Sequence, residues 1–212
     1  AAEARQVVEP LSNYFVGRVR KDFNKGNTRI GGILTSAMRS TGDSLVSSRL
    51  HGHAEAAGLD WRHYWNDRDY SWMGSMMVSS VAGTPEVIAR TQRSSAHYFQ
   101  RPDRTTTGDG LFSARLDPAA TALRGYGAFT RVGKDGGTVV WEAMGNVRSP
   151  GFEVNDLSFL SRTDFVWFNG NAGANFTTPT SWYRAIGFTL GGATQYNYDG
   201  DRTYSQLQAF YF

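Results

Sequence analysis

Hydrophobic and polar residues alternate singly along much of this chain, and the longest run of alternation lies near its end, from Ser181 to Tyr198. One parity reads Trp182, Arg184, Ile186, Phe188, Leu190, Gly192, Thr194, Tyr196 and Tyr198. The other reads Ser181, Tyr183, Ala185, Gly187, Thr189, Gly191, Ala193, Gln195 and Asn197. Successive side chains of a strand point to opposite faces, so the run predicts one apolar face and one small, polar face. Aliphatic residues and Phe occupy the middle of the apolar face, with Trp at one end and two Tyr at the other. Strands of soluble sandwiches average about five or six residues. A strand that crosses a bilayer needs roughly nine to eleven, with aromatic residues where lipid meets water. The run therefore predicts a transmembrane β-strand.

The same period recurs along the chain. Asn13–Arg20 and Asn27–Met38 read as strands joined by Asn24-Lys25-Gly26-Asn27, with Thr28, Ile30, Gly32, Leu34 and Met38 on one face. Residues 57–66 and 70–82 alternate on either side of Asp67-Arg68-Asp69, which gathers Trp61, Trp65 and Trp72 near one end of a hairpin. That cluster is the rim of a girdle in a membrane and an aromatic core in a soluble fold. Residues 122–132 and 138–148 flank the turn Lys134-Asp135-Gly136-Gly137, and 157–169 and 203–212 supply further strands. Thr84 as N-cap, Pro85 at the first helical position and Glu86 in the first turn predict one short loop helix near 84–93. The expected fold is all-β: an antiparallel up-and-down meander of about eight to ten long strands, forming a transmembrane β-barrel or part of a larger one. Residues 1–212 are expected to be a single barrel domain or segment, incomplete at one or both ends. Asn13–Arg20 is short for a spanning strand and carries Arg18 and Arg20 beside Tyr14 and Val16, which makes it a poor closing partner for 203–212.

Composition narrows the class. The 212 residues are 40% hydrophobic and 14% aromatic, with 24 Gly and no Cys. No run approaches the roughly eighteen apolar residues of a spanning helix, and the mean hydropathy of -0.43 excludes a helical membrane protein. Strands that are apolar on one face only escape that exclusion. Lack of Cys removes disulfides and thiolate metal sites. The net charge is +3, and the 22 basic residues are spread along the chain, so no stripe for nucleic acid forms. The first ten residues resemble mid-chain sequence and contain no signal peptide.

Alternation also assigns the faces. Arg62, Glu142, Asn146, Arg148 and Gln195 are expected to face a polar lumen, and Trp72, Trp141, Ile186, Phe188 and Leu190 to face lipid. Candidate chemistry is sparse. Asp60, Glu142, Glu153, Asp156 and Asp164 could serve a glycosidase only if two of them face each other about five to ten ångströms apart. The plainer expectation is that Asp60, Glu142 and Asp164 are lumen charges and that Glu153 and Asp156 belong to a turn, with Val154-Asn155-Asp156 bonding its own backbone. His51 and His53 form a spaced pair without a further ligand at a helpful distance, and Asp103, Asp109 and Asp117 are too scattered for a calcium loop. No nucleophile elbow, phosphate loop or dinucleotide fingerprint occurs, and no cofactor, metal or catalytic residue is assigned.

Four blocks carry a family resemblance: NYFVGRVRKDFNKGNTRIGGILTSAMR (13–39), HYWNDRDYSWMGSMMVSSVAG (63–83), IARTQRSSAHYFQRPD (88–103) and SPGFEVNDLSFLSRTDF (149–165). In this order they resemble an uncharacterised β-barrel domain that commonly follows a family-9-like carbohydrate-binding module in large cell-envelope proteins of Gram-negative bacteria. The resemblance implies location in the bacterial outer membrane and an activity that is unknown. It implies as partners the lipid of that membrane and further strands of the same protein or other envelope proteins. A structural, transport or envelope-associated role follows. The alternative is a soluble carbohydrate-binding or carbohydrate-hydrolysing β-protein, whose Trp and Tyr faces would stack on sugar rings. Detergent dependence separates the two.

Overall fold

Nine strands run up and down in chain order in the computed structural model, which describes residues 9–104 and 115–212. They are β1 (Ser12–Phe23), β2 (Thr28–Arg39), β3 (His53–Trp65), β4 (Tyr70–Ala82), β5 (Ala122–Lys134), β6 (Val139–Arg148), β7 (Phe165–Phe176), β8 (Ile186–Tyr196) and β9 (Arg202–Tyr211). Each pairs antiparallel with its sequence neighbours in a single sheet ordered β1 to β9. The fold is all-β, as the alternation predicts, and two short helices interrupt it: α1 (Ser44–Ser47) and α2 (Pro85–Arg93). β1 and β9 lie at the two edges.

Turn chemistry sets one end of the sheet. β1 and β2 are joined by a 3-10 turn over Asn24–Gly26, where Asn24, Lys25 and Gly26 all take positive φ. Asn66, Asp67 and Arg68 do the same between β3 and β4. The β5–β6 turn sits on its neighbour: the Asp135 and Gly136 N–H groups both donate to the Asp69 carbonyl. The nine-residue connection 177–185 joins β7 to β8 at this same end, and antiparallel pairing sends the other four connections, residues 40–52, 83–121, 149–164 and 197–201, to the opposite end.

Several predicted boundaries differ. β1 runs three residues past Arg20, because Lys21, Asp22 and Phe23 pair with Ile30, Arg29 and Thr28. It is 12 residues long, so shortness is no argument against it as a spanning strand. β3 begins at His53, four residues before the alternation that starts at Ala57. The stretch 157–169 is not one strand: it is loop up to Asp164, whose φ is +59, and β7 begins at Phe165. Its apolar residues look like a strand, but Leu160 is used to bury the loop. β8 starts at Ile186, so Trp182 stands outside the ladder and packs edge-on against Tyr183. Thr84 caps α2 by backbone conformation only, since its hydroxyl donates to the Ser47 carbonyl.

Register divides the sheet into two faces. Ala37, Ala54, Val81 and Leu123 lie opposite one another on β2 to β5 and pack against Val87, Ile88 and Phe99 of α2 and the segment after it. This small core covers the loop end of one face. Farther along that face the side chains turn polar, with Met73, Met77, Phe129 and Trp167 among them. The other face is apolar along its whole middle.

Candidate functional site

The apolar face is built by simple parity. Phe15 and Val19 on β1, Ile30 and Leu34 on β2, and Leu59, Met76 and Val78 on β3 and β4 all lie exposed on it. So do Phe168, Phe176, Ile186, Phe188, Leu190 and Leu207 on β7 to β9. Its ionisable residues other than tyrosine are Lys21, His53, Glu55, His63, Arg124 and Lys134, together with Arg202 where β9 begins. Each lies within the first or last three positions of its strand. Between those ends the face has no charge. Small residues at Gly17, Gly32, Ala57 and Ala128 lower its middle into an apolar groove of about 1050 Å³. At the turn end Trp65 stacks on Tyr70 with centroids 5.3 Å apart, and Trp61 meets Trp72 edge-on at 5.4 Å. Trp72, Trp141, Ile186, Phe188 and Leu190 share this face.

Arg62, Glu142, Asn146, Arg148 and Gln195 share the opposite one. Most of its charges are paired. Asp60 accepts from Arg18 at 2.7 Å, and Asp22 accepts from Arg29 at 2.6 Å. Glu142 accepts from Arg131 Nε at 2.6 Å and from the Asn171 amide at 2.6 Å. Arg148 donates to the Arg162 carbonyl, and the Gln195 amide lies 2.8 Å from the Thr203 hydroxyl. The five expected residues therefore lie on one surface without converging on a common point.

The loop end holds the most tightly built chemistry. His97 is 1% exposed, and both of its ring nitrogens face acceptors: Nδ1 the Pro150 carbonyl at 2.7 Å, Nε2 the Glu153 carboxylate at 2.7 Å. Burial alone pushes the Glu153 carboxyl up. The hydrogen bonds from His97 and the Asn155 N–H, with the charge of His97, outweigh it and hold the group below its ordinary value. The His97 ring thus bridges the Pro150 carbonyl and the Glu153 carboxylate. His51 repeats the pattern with Asp156 at 2.7 Å and Thr91 Oγ1 at 2.8 Å, while the Thr91 hydroxyl donates to the Val87 carbonyl. Burial raises the Asp156 carboxyl, but His51 and Arg39 together hold it below its ordinary value. Nearby, Asp164 joins Arg104 at 2.9 Å and Arg101 at 3.6 Å, and Arg101 also pairs with Asp199.

This arrangement revises the expected roles of the carboxylates. Glu153 accepts from the Asn155 N–H and Asp156 lies in the turn that Leu157 and Ser158 close on the Val154 carbonyl, as expected, but neither serves that turn alone. They bind residues 56 and 105 positions away and fasten the 149–164 loop over the end of the sheet. Asn155 is the local staple, exchanging hydrogen bonds with both backbone groups of Leu160. Asp164 belongs to this cap and not to the strand face. His51 is drawn into the cap, whereas His53 lies exposed on the apolar face, 3.8 Å from Glu55. Asp103 lies 3.8 Å from Arg101, and Asp109 lies outside the described residues. Among the described residues no His, Asp or Glu cluster fit to hold a metal occurs, and each of the five carboxylates is already bound to an arginine or a histidine. Sequence reasoning missed His97, Arg101, Arg104 and Asp199, which have no periodic signal.

Fold and site together define a class: a single antiparallel meander, apolar and uncharged across one face, polar across the other, and capped at one end by ion-paired loops. The chain belongs to the family described as a domain of unknown function, DUF5916, whose model matches residues 1–211. No curated protein and no solved structure matches it.

Proposed function

We propose that this domain is a membrane-spanning sheet of an outer-membrane β-barrel, with a structural, transport or envelope-associated role. Its apolar face would lie against lipid and its polar face toward a lumen. The observation that carries this reading is the charge-free middle of the apolar face, spread over nine strands of 10 to 13 residues. Roughly nine to eleven residues cross a bilayer, and charges confined to strand ends would sit at headgroup level. The accessible surface of 13250 Å² points the same way, since a globular protein of this mass exposes roughly 9,700 Å². The outer edges of β1 and β9 pair with nothing among the described residues. In hydrocarbon each unmet backbone group costs several kcal/mol, so those edges would pair with further strands of the same protein or of a neighbour.

The test compares two arginines. Leu59, midway along β3, is exposed on the apolar face, and Asn146 lies on the polar face of β6. Leu59→Arg is expected to cost about 2–4 kcal/mol in a folding assay in lipid vesicles, and Asn146→Arg much less. Equal costs, or a wild type that stays monodisperse and folded in buffer without detergent, would contradict the reading and favour a soluble carbohydrate-binding β-protein.

A further inference from the structure

We propose that the polar face carries a binding site for an oxyanion, phosphate or carboxylate in type, formed by Arg20 and Arg62 near the turn end of β1 to β4. Register assembles the patch. Arg20 of β1, Gly31 of β2, Asp60 of β3 and Ser75 of β4 stand in one row, and Asp22, Arg29, Arg62 and Met73 stand in the next. Four arginines (Arg18, Arg20, Arg29 and Arg62) thus meet two aspartates on one patch. Partner choice then decides which cations stay unneutralised.

Asp22 is taken by Arg29 at 2.6 Å. Asp60 is taken by Arg18, and it reaches Arg18 by lying across Gly31, where a Cβ would stand 2.6 Å from its Oδ2. Gly31 has an ordinary negative φ, so the absence of a side chain, not a special conformation, is what this position supplies. With both aspartates committed, Arg20 and Arg62 form no ion pair among the described residues. They line a cavity of about 210 Å³ together with Arg29, Asp60 and Ser75, with Phe129 and Met73 among its apolar walls.

The chemistry of the walls selects the ligand. Guanidinium groups offer paired N–H donors in a plane and match the two oxygens of a carboxylate or phosphate. Ser75 adds a hydroxyl at the same cavity. The volume is below the roughly 300 Å³ of a pocket for a drug-sized ligand, so it suits a small anion or one anionic group of a larger solute. A lipid headgroup is not the intended occupant, because the site lies on the face opposite the exposed apolar residues. The site adds a ligand class to the polar face and does not require that face to line a lumen.

Equilibrium dialysis of the full chain against radiolabelled inorganic phosphate, in whichever solvent keeps it folded and at low ionic strength, tests the proposal. Saturable binding of one phosphate per chain is expected. Arg20→Gln/Arg62→Gln should weaken it at least about tenfold, because two charge-assisted contacts are lost. Arg49→Gln, a loop arginine, should leave it unchanged. Both substituted arginines are exposed strand residues, and circular dichroism checks that the double variant folds; should it not, Arg62→Gln alone gives the same reading with a smaller loss. Lack of saturable binding by the wild type, equal binding by a folded double variant, or equal weakening in Arg49→Gln would overturn the site. None of these results touches the comparison of Leu59→Arg with Asn146→Arg, so the two ideas fail separately.

Discussion

Single residues fix how closely the cap sits on the sheet. A Cβ at Gly125 on β5 would run into the backbone of Gly151 and Phe152, and one at Gly151 would run into the Arg124 carbonyl. Two glycines thus let the 149–152 turn lie flat on the sheet. Gly125→Ala is expected to lower stability by about 1–3 kcal/mol in urea unfolding, as other small-to-large changes in packed sites do. His97 presents the opposite case, a buried ring held by a buried carboxylate. His97→Ala leaves Glu153 buried without its partner and should cost about 3–5 kcal/mol in the same measurement. A cost below about 1 kcal/mol would show that the pair does not hold the loop.

At the scale of elements, the strands were legible and the cap was not. Alternation places Trp72, Trp141, Ile186, Phe188 and Leu190 on one face and Arg62, Glu142, Asn146, Arg148 and Gln195 on the other because parity survives small errors in strand length. The errors came where parity continues without a ladder, as at Ser181–Ala185, or where apolar residues serve a loop, as at Leu160. The clamps are invisible to any local pattern because their partners are brought together only by the meander. Those clamps also make the cap acid-sensitive. Glu153 and Asp156 have ordinary values near 4.5 and 3.8 and are held lower in the folded state. The unfolded chain therefore binds more protons in the acid range. Their contribution is fully present above those ordinary values and is lost as pH falls through the lowered ones. Stability should drop on acidification below about pH 4, and Glu153→Gln/Asp156→Asn should lower stability at pH 7 and flatten that drop. An acid limb equally steep in the double variant would assign the loss to other groups.

For the whole molecule the question is what covers the apolar face. The sheet has a small core under its cap, around Ile88 and Val81, and elsewhere leaves large apolar side chains exposed on eight of its nine strands, β5 being the exception. The proposed contact with lipid would account for the charge-free middle, the aromatic cluster at Trp61, Trp65, Tyr70 and Trp72, and the strand lengths together. The natural absence of cysteine makes the direct measurement simple. Single cysteines placed in turn at residues 55 to 63 of β3 in the full chain, spin-labelled and reconstituted in lipid, report collision with oxygen in the bilayer and with a water-soluble nickel chelate. Oxygen accessibility should peak at 57, 59 and 61, chelate accessibility at 58, 60 and 62, with a period of two throughout. High chelate accessibility at 57, 59 and 61 would mean that water, not lipid, meets this face, and would contradict the account.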